Sequence, residues 1–558
     1  MQDELNWFST FSSTEDYTKF QELPVAYFSA EFALSDTLPI FAGGLGVLAG
    51  DFVKEAADRA FPLVAVGLYY HEGYVCQKID QNGTIVEACD IRTPKDAGLT
   101  EVNDALGKRL IIQLPIHDRH ISVQAWKFQC KNVPLYLLDT NVEENSQEDR
   151  MITNRLYVSD KETRLKQEMV LGIGGIRLLE MLKIHPSIFH LNEGHSAMLI
   201  LDLMRHEMER HQVNFQDAIA HAKRHVVFTN HTLVNAGNEV FSNDLVSMLL
   251  EKYAEELQVP ANEIINLGLI QDSSRFSMTM LSLRIAAKIN AVSKLHQRKA
   301  SEIWTDHTTE QVTNGVHVPT WDGEVGADIR TYHNSQKQLL LAHIAKIRPI
   351  EWKSDDFIIG WARRMVPYKR PLALFQDVEK FKDLAAKHGR PVRVVVSGFA
   401  PPGDLDGGLL LQQIQHLAEN ELKEYIVYLP NYDLELAKLM VAGSDVWINT
   451  PVVGFEACGT SGMKAALNGT LPVSTRDGWV EEAEFFRVGW IAENENVNKS
   501  IFELLEKEIL PMYYNNPEEW TAHMQNARAM ALNQFSATRM LREYIQKMYL
   551  PVLHEIVH

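Results

Sequence analysis

The run Glu456-Ala457-Cys458-Gly459-Thr460-Ser461-Gly462-Met463-Lys464-Ala465-Ala466-Leu467-Asn468-Gly469 follows an apolar stretch, Asp445-Val446-Trp447-Ile448. The apolar stretch reads as a buried strand and the Ala/Leu segment around Lys464 as a helix. A turn of Gly, Thr, Ser and Gly between them leaves backbone N–H groups unpaired at the helix start, a site that favours anions. Lys464 lies just inside that helix, and the carboxylate of Glu456 precedes it by eight residues. Such a turn suits a phosphorylated ligand. It also suits a lysine that forms an imine with an aldehyde cofactor, because desolvation near other cations leaves an amine neutral and nucleophilic. A surface lysine on a helix after a glycine loop is the plain alternative.

Outward from this run, short apolar segments alternate with amphipathic ones. Residues 357–361, 392–398, 426–430 and 444–449 read as strands, as do 24–29, 61–68, 133–139 and 226–230 earlier in the chain. Helical patterns at 164–182 and 196–210 separate the early ones, which implies βαβ units and parallel sheets. Segments 109–116 and 121–128 flank the polar turn His117-Asp118-Arg119 and read as an antiparallel excursion. The pattern restarts after Thr313-Asn314-Gly315, where turn chemistry marks a domain boundary. The expectation is two doubly wound α/β domains, 1–313 and 314–558, with a ligand cleft between facing strand C-termini. Ser536 is a candidate N-cap for a last helix, 536–550. Its stripe Met540, Leu541, Tyr544, Ile545, Met548 and Tyr549 suits packing back across the N-terminal domain.

With 558 residues the chain is too long for one core, and its 46% hydrophobic and 23% charged residues are ordinary for a globular protein. A net charge of −19 argues against nucleic acid or an anionic membrane as the main partner. Any phosphate site is therefore a local basic pocket. The cysteines Cys76, Cys89, Cys130 and Cys458 show no metal spacing and suggest a reducing compartment, so a cytoplasmic location is expected. The first residues carry no secretion signal, and no apolar run approaches a membrane span.

Three further stretches carry chemistry. Gly44-x-Gly46-x-x-Ala49 fits a dinucleotide fingerprint, but no acidic residue follows at the ribose distance. It reads as a helix start that approaches a phosphate or sugar, with close helix–sheet packing as the alternative. Arg363, Arg364, Lys369 and Arg370 lie within eight residues directly after a strand, a candidate oxyanion clamp in an acidic chain. His231, at a strand end, could meet a sugar hydroxyl or sit satisfied in a core, and His195 carries the same ambiguity. No metal site is expected. Signatures of serine hydrolases, P-loop NTPases and zincins are missing.

Together these motifs resemble the α-glucan (glycogen, starch and maltodextrin) phosphorylase family, and its short bacterial branch most closely. The resemblance rests on the run from Glu456 to Lys464 with Leu467-Asn468-Gly469, on Gly43-Gly44-Leu45-Gly46, and on Arg364 with Tyr368-Lys369-Arg370. Asn230-His231-Thr232, Thr313-Asn314-Gly315, Asn431-Tyr432 and the segment around Phe535 extend it, in family order, from about Tyr27 to the end. It implies two Rossmann-like domains in a GT-B arrangement, with pyridoxal 5'-phosphate on Lys464. It further implies reversible, retaining phosphorolysis of an α-1,4-glucan to α-glucose 1-phosphate.

By the same resemblance, Arg364 and Lys369 bind the substrate phosphate, with the backbone at Gly44 and Leu45 approaching it. Thr460, Ser461, Arg363 and Tyr432 lie around the cofactor. Asn314, Tyr368, Glu456 and Gly459 match glucose contacts, and His231 lies beside the scissile sugar. Glucan and inorganic phosphate are the implied partners, and a homodimer is left open. The chain departs from the family at Phe399, where a lysine is usual, at Cys458, and at Val452-Val453-Gly454-Phe455. The short segment before Gly43 gives the expectation that nucleotides and phosphorylation do not regulate the enzyme. A nucleotide-sugar glucosyltransferase and a non-catalytic glucan-binding relative are the competing readings, and Lys464 argues against the first.

Overall fold

The structure is a computed structural model that describes residues 2–79, 85–88, 91–233, 239–271, 273–323, 328–386, 391–401 and 403–557. Cys89 lies outside them. The chain is a mixed α/β protein organised around two separate sheets. In the first, the strands run in the order Thr309–Gln311, Lys288–Ala291, Val226–Asn230, Ile188–Asn192, Val25–Ser29, Leu63–Leu68 and Val133–Asp139, all parallel. Arg119–Cys130 continues the sheet antiparallel to Val133–Asp139, and Ile112–Ile116 and Thr100–Glu101 pair antiparallel with it. Helices cover both faces of the central strands. The strands Val25–Ser29, Leu63–Leu68, Ile188–Asn192 and Val226–Asn230 are therefore buried throughout and read as unbroken apolar runs rather than alternating ones.

The second sheet is wholly parallel, in the order Ile426–Leu429, Val392–Ser397, Phe357–Ala362, Val446–Asn449, Leu471–Ser474 and Trp490–Ile491. Each sheet reverses its winding once. In the first, the chain leaves Val25–Ser29 on one side for Leu63–Leu68 and returns on the other as Ile188–Asn192. In the second, it leaves Phe357–Ala362 for Val392–Ser397 and returns as Val446–Asn449. Ligand crevices of open α/β sheets form at such reversals, beyond the strand C-termini.

The first and second sheets carry distinct apolar cores. The last helices, Ala537–Tyr544 and Leu550–Val557 with a π-turn between them, join the first core through Met540, Leu541, Tyr544, Ile545, Met548 and Tyr549. Ser536 caps this run by accepting from Arg539 N. Tyr549 shares a 2.7 Å hydrogen bond with His190 on the first sheet. Arg539 Nη2 donates to the carbonyls of Thr313 and Asn314 at 2.7 and 2.9 Å, which pins the crossover between the sheets to the final helix. Among the described residues no helix is long and apolar enough to cross a membrane.

Candidate active site

Both winding reversals deliver chemistry. Strand Phe357–Ala362 ends directly in Arg363 and Arg364, and strand Val446–Asn449 leads into the loop that carries Glu456. Arg363 is buried and grips Glu456 with both terminal nitrogens, at 2.5 and 2.7 Å, while Lys369 Nζ reaches the same carboxylate at 2.8 Å. Asn449 adds a bond at 3.2 Å. Burial pushes the Glu456 carboxyl up, but Arg363 and Lys369 win and hold it well below the usual carboxylate range. Desolvation, with Arg363 adding repulsion, brings Lys369 down to about 8. Lys369 is therefore tied to Glu456 rather than open to the cleft, a placement that spacing alone did not suggest.

Two glycines make this clasp sterically feasible. A Cβ at Gly459 would overlap Glu456 Oε1 and stand 2.6 Å from Arg363 Nη2. Gly398, at φ 131°, packs against the Arg363 carbonyl with no room for a Cβ. Phe399 beside it is buried.

Arg364 is placed differently. It is exposed to the cleft, and among the described residues it has no hydrogen-bonding or ion-pair partner. A Cβ at Gly43 would lie 3.9 Å from its Cδ. It thus faces the glycine turn that opens helix Gly44–Asp58 beyond strand Val25–Ser29. Glu31 accepts from Ala42 N and Gly43 N at 2.7 and 3.2 Å and from the Tyr157 hydroxyl, which fixes the turn. The N–H groups of Gly44 and Leu45 have no acceptor among the described residues, and a Cβ at Gly44 would meet nothing within 4 Å. A helix start with free N–H groups opposite an uncommitted guanidinium is an anion site.

Lys464 sits on the buried helix Ser461–Leu467. Its Nζ lies 4.1 Å from the centroid of the Trp321 ring and donates no hydrogen bond to a described residue. Desolvation lowers its pKa to about 8 against the pull of Asp51. Asp51 is buried and accepts from Trp321 Nε1 with both oxygens at 2.9 Å. Thr460 precedes this helix, and Ser461 Oγ accepts from Trp447 Nε1 at 3.1 Å. Tyr432 is in electrostatic contact with Arg363, and burial raises its hydroxyl. Tyr368 packs its ring 6.1 Å from that of Phe455. Asn314 donates to the Cys458 carbonyl at 3.3 Å, and its Oδ1 is buried with no donor among the described residues.

From the first sheet, His231 shares a 2.6 Å hydrogen bond with Asn192 and donates its backbone N–H to Glu193 at 2.8 Å. Desolvation, with His296 and His195 nearby, lowers its pKa to about 3, so the ring is neutral. His195 is likewise buried and neutral.

Sequence reasoning passed over Trp321, Asp51, Glu31 and Asp477. Asp477 accepts from Gly454 N and Glu456 N, both at 3.0 Å, and so orients the loop that bears Glu456. Trp321 lies six residues beyond the Thr313-Asn314-Gly315 turn, and only the tertiary structure lays it over Lys464. A cavity of about 500 Å³ elsewhere, lined by Ile176, Leu179, Phe189 and His225, contains none of these groups. Glu180, Asp202 and His206 approach one another closely enough to hold a metal ion, but Arg205 bonds to all three and supplies the positive charge.

A sequence profile described as carbohydrate phosphorylase matches residues 123–321 and 301–489. The chain is 36% identical to a maltodextrin phosphorylase of Thermococcus litoralis, over 98% of this chain and 72% of that protein. It is 34% identical to a glycogen phosphorylase of Aquifex aeolicus, over 97% and 88% of the two. A Mycobacterium tuberculosis glycogen phosphorylase is 31% identical over 95% of this chain and 71% of its own. These similarities include the reversal points from which the cations, the glutamate and the buried lysine emerge, and the chain belongs to the carbohydrate phosphorylase family.

Proposed function

We propose that this protein is an α-glucan phosphorylase that uses inorganic phosphate to release the terminal sugar of an α-1,4-glucan as α-glucose 1-phosphate, reversibly and with retention. Its two sheets form domains 1–313 and 314–558 in a GT-B arrangement, with the reaction in the cleft between them. The observation that carries this reading is the meeting of two anion-binding devices near one buried, partly deprotonated lysine. One device is the open helix start at Gly44 and Leu45 facing Arg364. The other is the helix start at Thr460 and Ser461, beside the Glu456 carboxylate that Arg363 and Lys369 neutralise.

These residues fit pyridoxal 5'-phosphate. Lys464 offers an unpaired amine with a lowered pKa, and Trp321 offers an aromatic wall at 4.1 Å. Thr460, Ser461, Arg363 and Tyr432 would lie around the cofactor and its phosphate. When bound, the cofactor supplies a phosphate group that exchanges a proton with the substrate phosphate. The chain does the rest. Arg364 and the N–H groups of Gly44 and Leu45 bind the attacking phosphate and stabilise its charge in a water-poor cleft. Lys369 and Arg363 hold Glu456 ionised, so that it can accept from sugar hydroxyls. Asn314, Tyr368 and the Gly459 backbone orient the ring, and neutral His231 bears on the scissile sugar. Mixing purified protein with pyridoxal 5'-phosphate, maltodextrin and phosphate and assaying glucose 1-phosphate tests the reading. No product would overturn it.

A further inference from the structure

Three adjacent parallel strands, Val25–Ser29, Ile188–Asn192 and Val226–Asn230, end side by side. Ser29 is paired with Asn192 across the first two, and His231 follows the end of the third. Ser29 and Asn192 are 0% and 2% exposed. A run of hydrogen bonds joins these strand ends. Ser29 Oγ donates to the Glu31 carbonyl at 3.0 Å and accepts from Glu31 N at 3.4 Å. The Asn192 amide lies 3.1 Å from the same Oγ on one side and 2.6 Å from His231 Nε2 on the other.

The direction of this run follows from which atoms carry hydrogen. A carbonyl oxygen only accepts, so the single hydroxyl hydrogen of Ser29 goes to Glu31. Ser29 must then accept from Asn192, which turns the amide nitrogen of Asn192 toward Ser29 and its oxygen toward His231. An amide oxygen also only accepts, so His231 carries a hydrogen on Nε2. Burial lowers the ring's pKa to about 3, so it holds one hydrogen, and Nδ1 is a bare lone pair. Glu193, beside it, is occupied by His231 N and Asn230 Nδ2 at 2.8 and 3.2 Å. His231 is only half-buried, and its Nδ1 has no hydrogen-bond partner among the described residues.

We propose that Asn192 and Ser29 are positioning residues that fix His231 as a hydrogen-bond acceptor, so that the sugar unit beside it must offer a hydroxyl hydrogen to Nδ1. The proposal rests on the phosphorylase reading above and adds the direction of one contact and the two residues that set it. A site with a bare acceptor in place rejects an analogue that cannot donate, because the lone pair is then left unpaired. The run ends on Glu31, whose carboxylate accepts from Ala42 N and Gly43 N of the anion turn. One residue therefore anchors both the sugar-facing histidine and the phosphate-facing turn.

Two measurements test it. Nitrogen NMR of wild type with isotope-labelled histidine rings should show His231, identified by the signals lost in His231→Gln, with hydrogen on Nε2 and a bare Nδ1. Hydrogen on Nδ1 would overturn the proposal. Asn192→Leu removes the acceptor and should leave that ring a mixture of both forms, and Ser29→Ala, which frees the amide to turn, should do so in part. A ring unchanged in both variants would show that neither residue sets it and overturn their role. The second measurement is glucan synthesis from glucose 1-phosphate and its 3-, 4- and 6-deoxy and deoxyfluoro analogues, with a maltodextrin acceptor. In wild type, one position should lose about tenfold to a hundredfold in kcat/KM in the deoxy analogue. Fluorine at that position should recover none of the loss, because it cannot donate. In Asn192→Leu, where part of the rings present Nδ1–H, the fluoro analogue should gain on the deoxy one, and the inductive effect of fluorine cancels in that comparison. Recovery by fluorine in wild type, or no sensitive position, would overturn the proposal. If the variants do not fold, the wild-type spectrum and analogue series decide. A wild type inactive on glucose 1-phosphate itself would overturn the phosphorylase reading and the sugar contact with it, while the spectrum would still decide the hydrogen on His231.

Discussion

Gly459→Ala is the sharpest probe of the site. The added methyl would stand 2.6 Å from Arg363 Nη2 and 2.9 Å from Glu456 Cδ, where ordinary van der Waals contact begins at 3.4 Å. It would also overlap Glu456 Oε1. Neither group can swing away freely. Arg363 is anchored by two bonds to the glutamate and by a backbone N–H to Ser397 O at 3.2 Å, and Glu456 is held by three side chains. The carboxylate must therefore withdraw by about 1 Å, and a misplacement of that size costs roughly a hundredfold in rate, about 2.7 kcal/mol of transition-state stabilisation. The pair is buried, so separating it would also cost stability, with about 3–5 kcal/mol for loss of one partner as the upper bound. Initial rates of glucose 1-phosphate release, with maltodextrin and phosphate varied separately, read the first effect, and a thermal melt reads the second. We expect the rate to fall more than the melt, because the methyl displaces the pair without deleting either charge. Gly459→Ala with kcat/KM within about threefold of wild type would refute the argument that this glycine is required by the clasp.

Other substitutions probe the remaining parts. Arg364→Ala should lose two to three decades in phosphorolysis, about 2–4 kcal/mol, and a near-normal rate would remove it from the phosphate site. Lys464, lowered to about 8 by desolvation, should react with pyridoxal 5'-phosphate at a rate that rises with pH and levels off above about 8. A rate still climbing toward pH 10 would mean an ordinary, solvated lysine, and trapped label on another residue would exclude Lys464 as the anchor. Asp477 is pushed up to about 6 by burial. A carboxyl raised above its unfolded value contributes stability that is full below about pH 4 and lost as pH rises through about 6. Asp477→Asn should remove that part of the slope in urea melts taken from pH 4 to 7, and an unchanged slope would contradict it.

The apolar runs and their spacing by helical patterns were enough to read parallel α/β sheets, because strands buried on both faces must be apolar throughout. The short anchors Glu456 to Lys464, Gly43 to Gly46 and Arg364 to Arg370 were legible for a related reason. Each places a particular residue type at a strand end or a helix start, where local geometry alone creates an anion site. Long-range pairing was not legible. The sequence presents Lys369 as one cation among four, whereas the fold binds it to a glutamate 87 residues away. Trp321 and Asp51 stand 270 residues apart, yet they form one wall of the lysine pocket. Periodicity and turn chemistry report the environment along one segment. Which charges neutralise one another, and which polar atoms remain unpaired, depends on segments brought together by two winding reversals and a crossover helix, and those distances exist only in the folded chain.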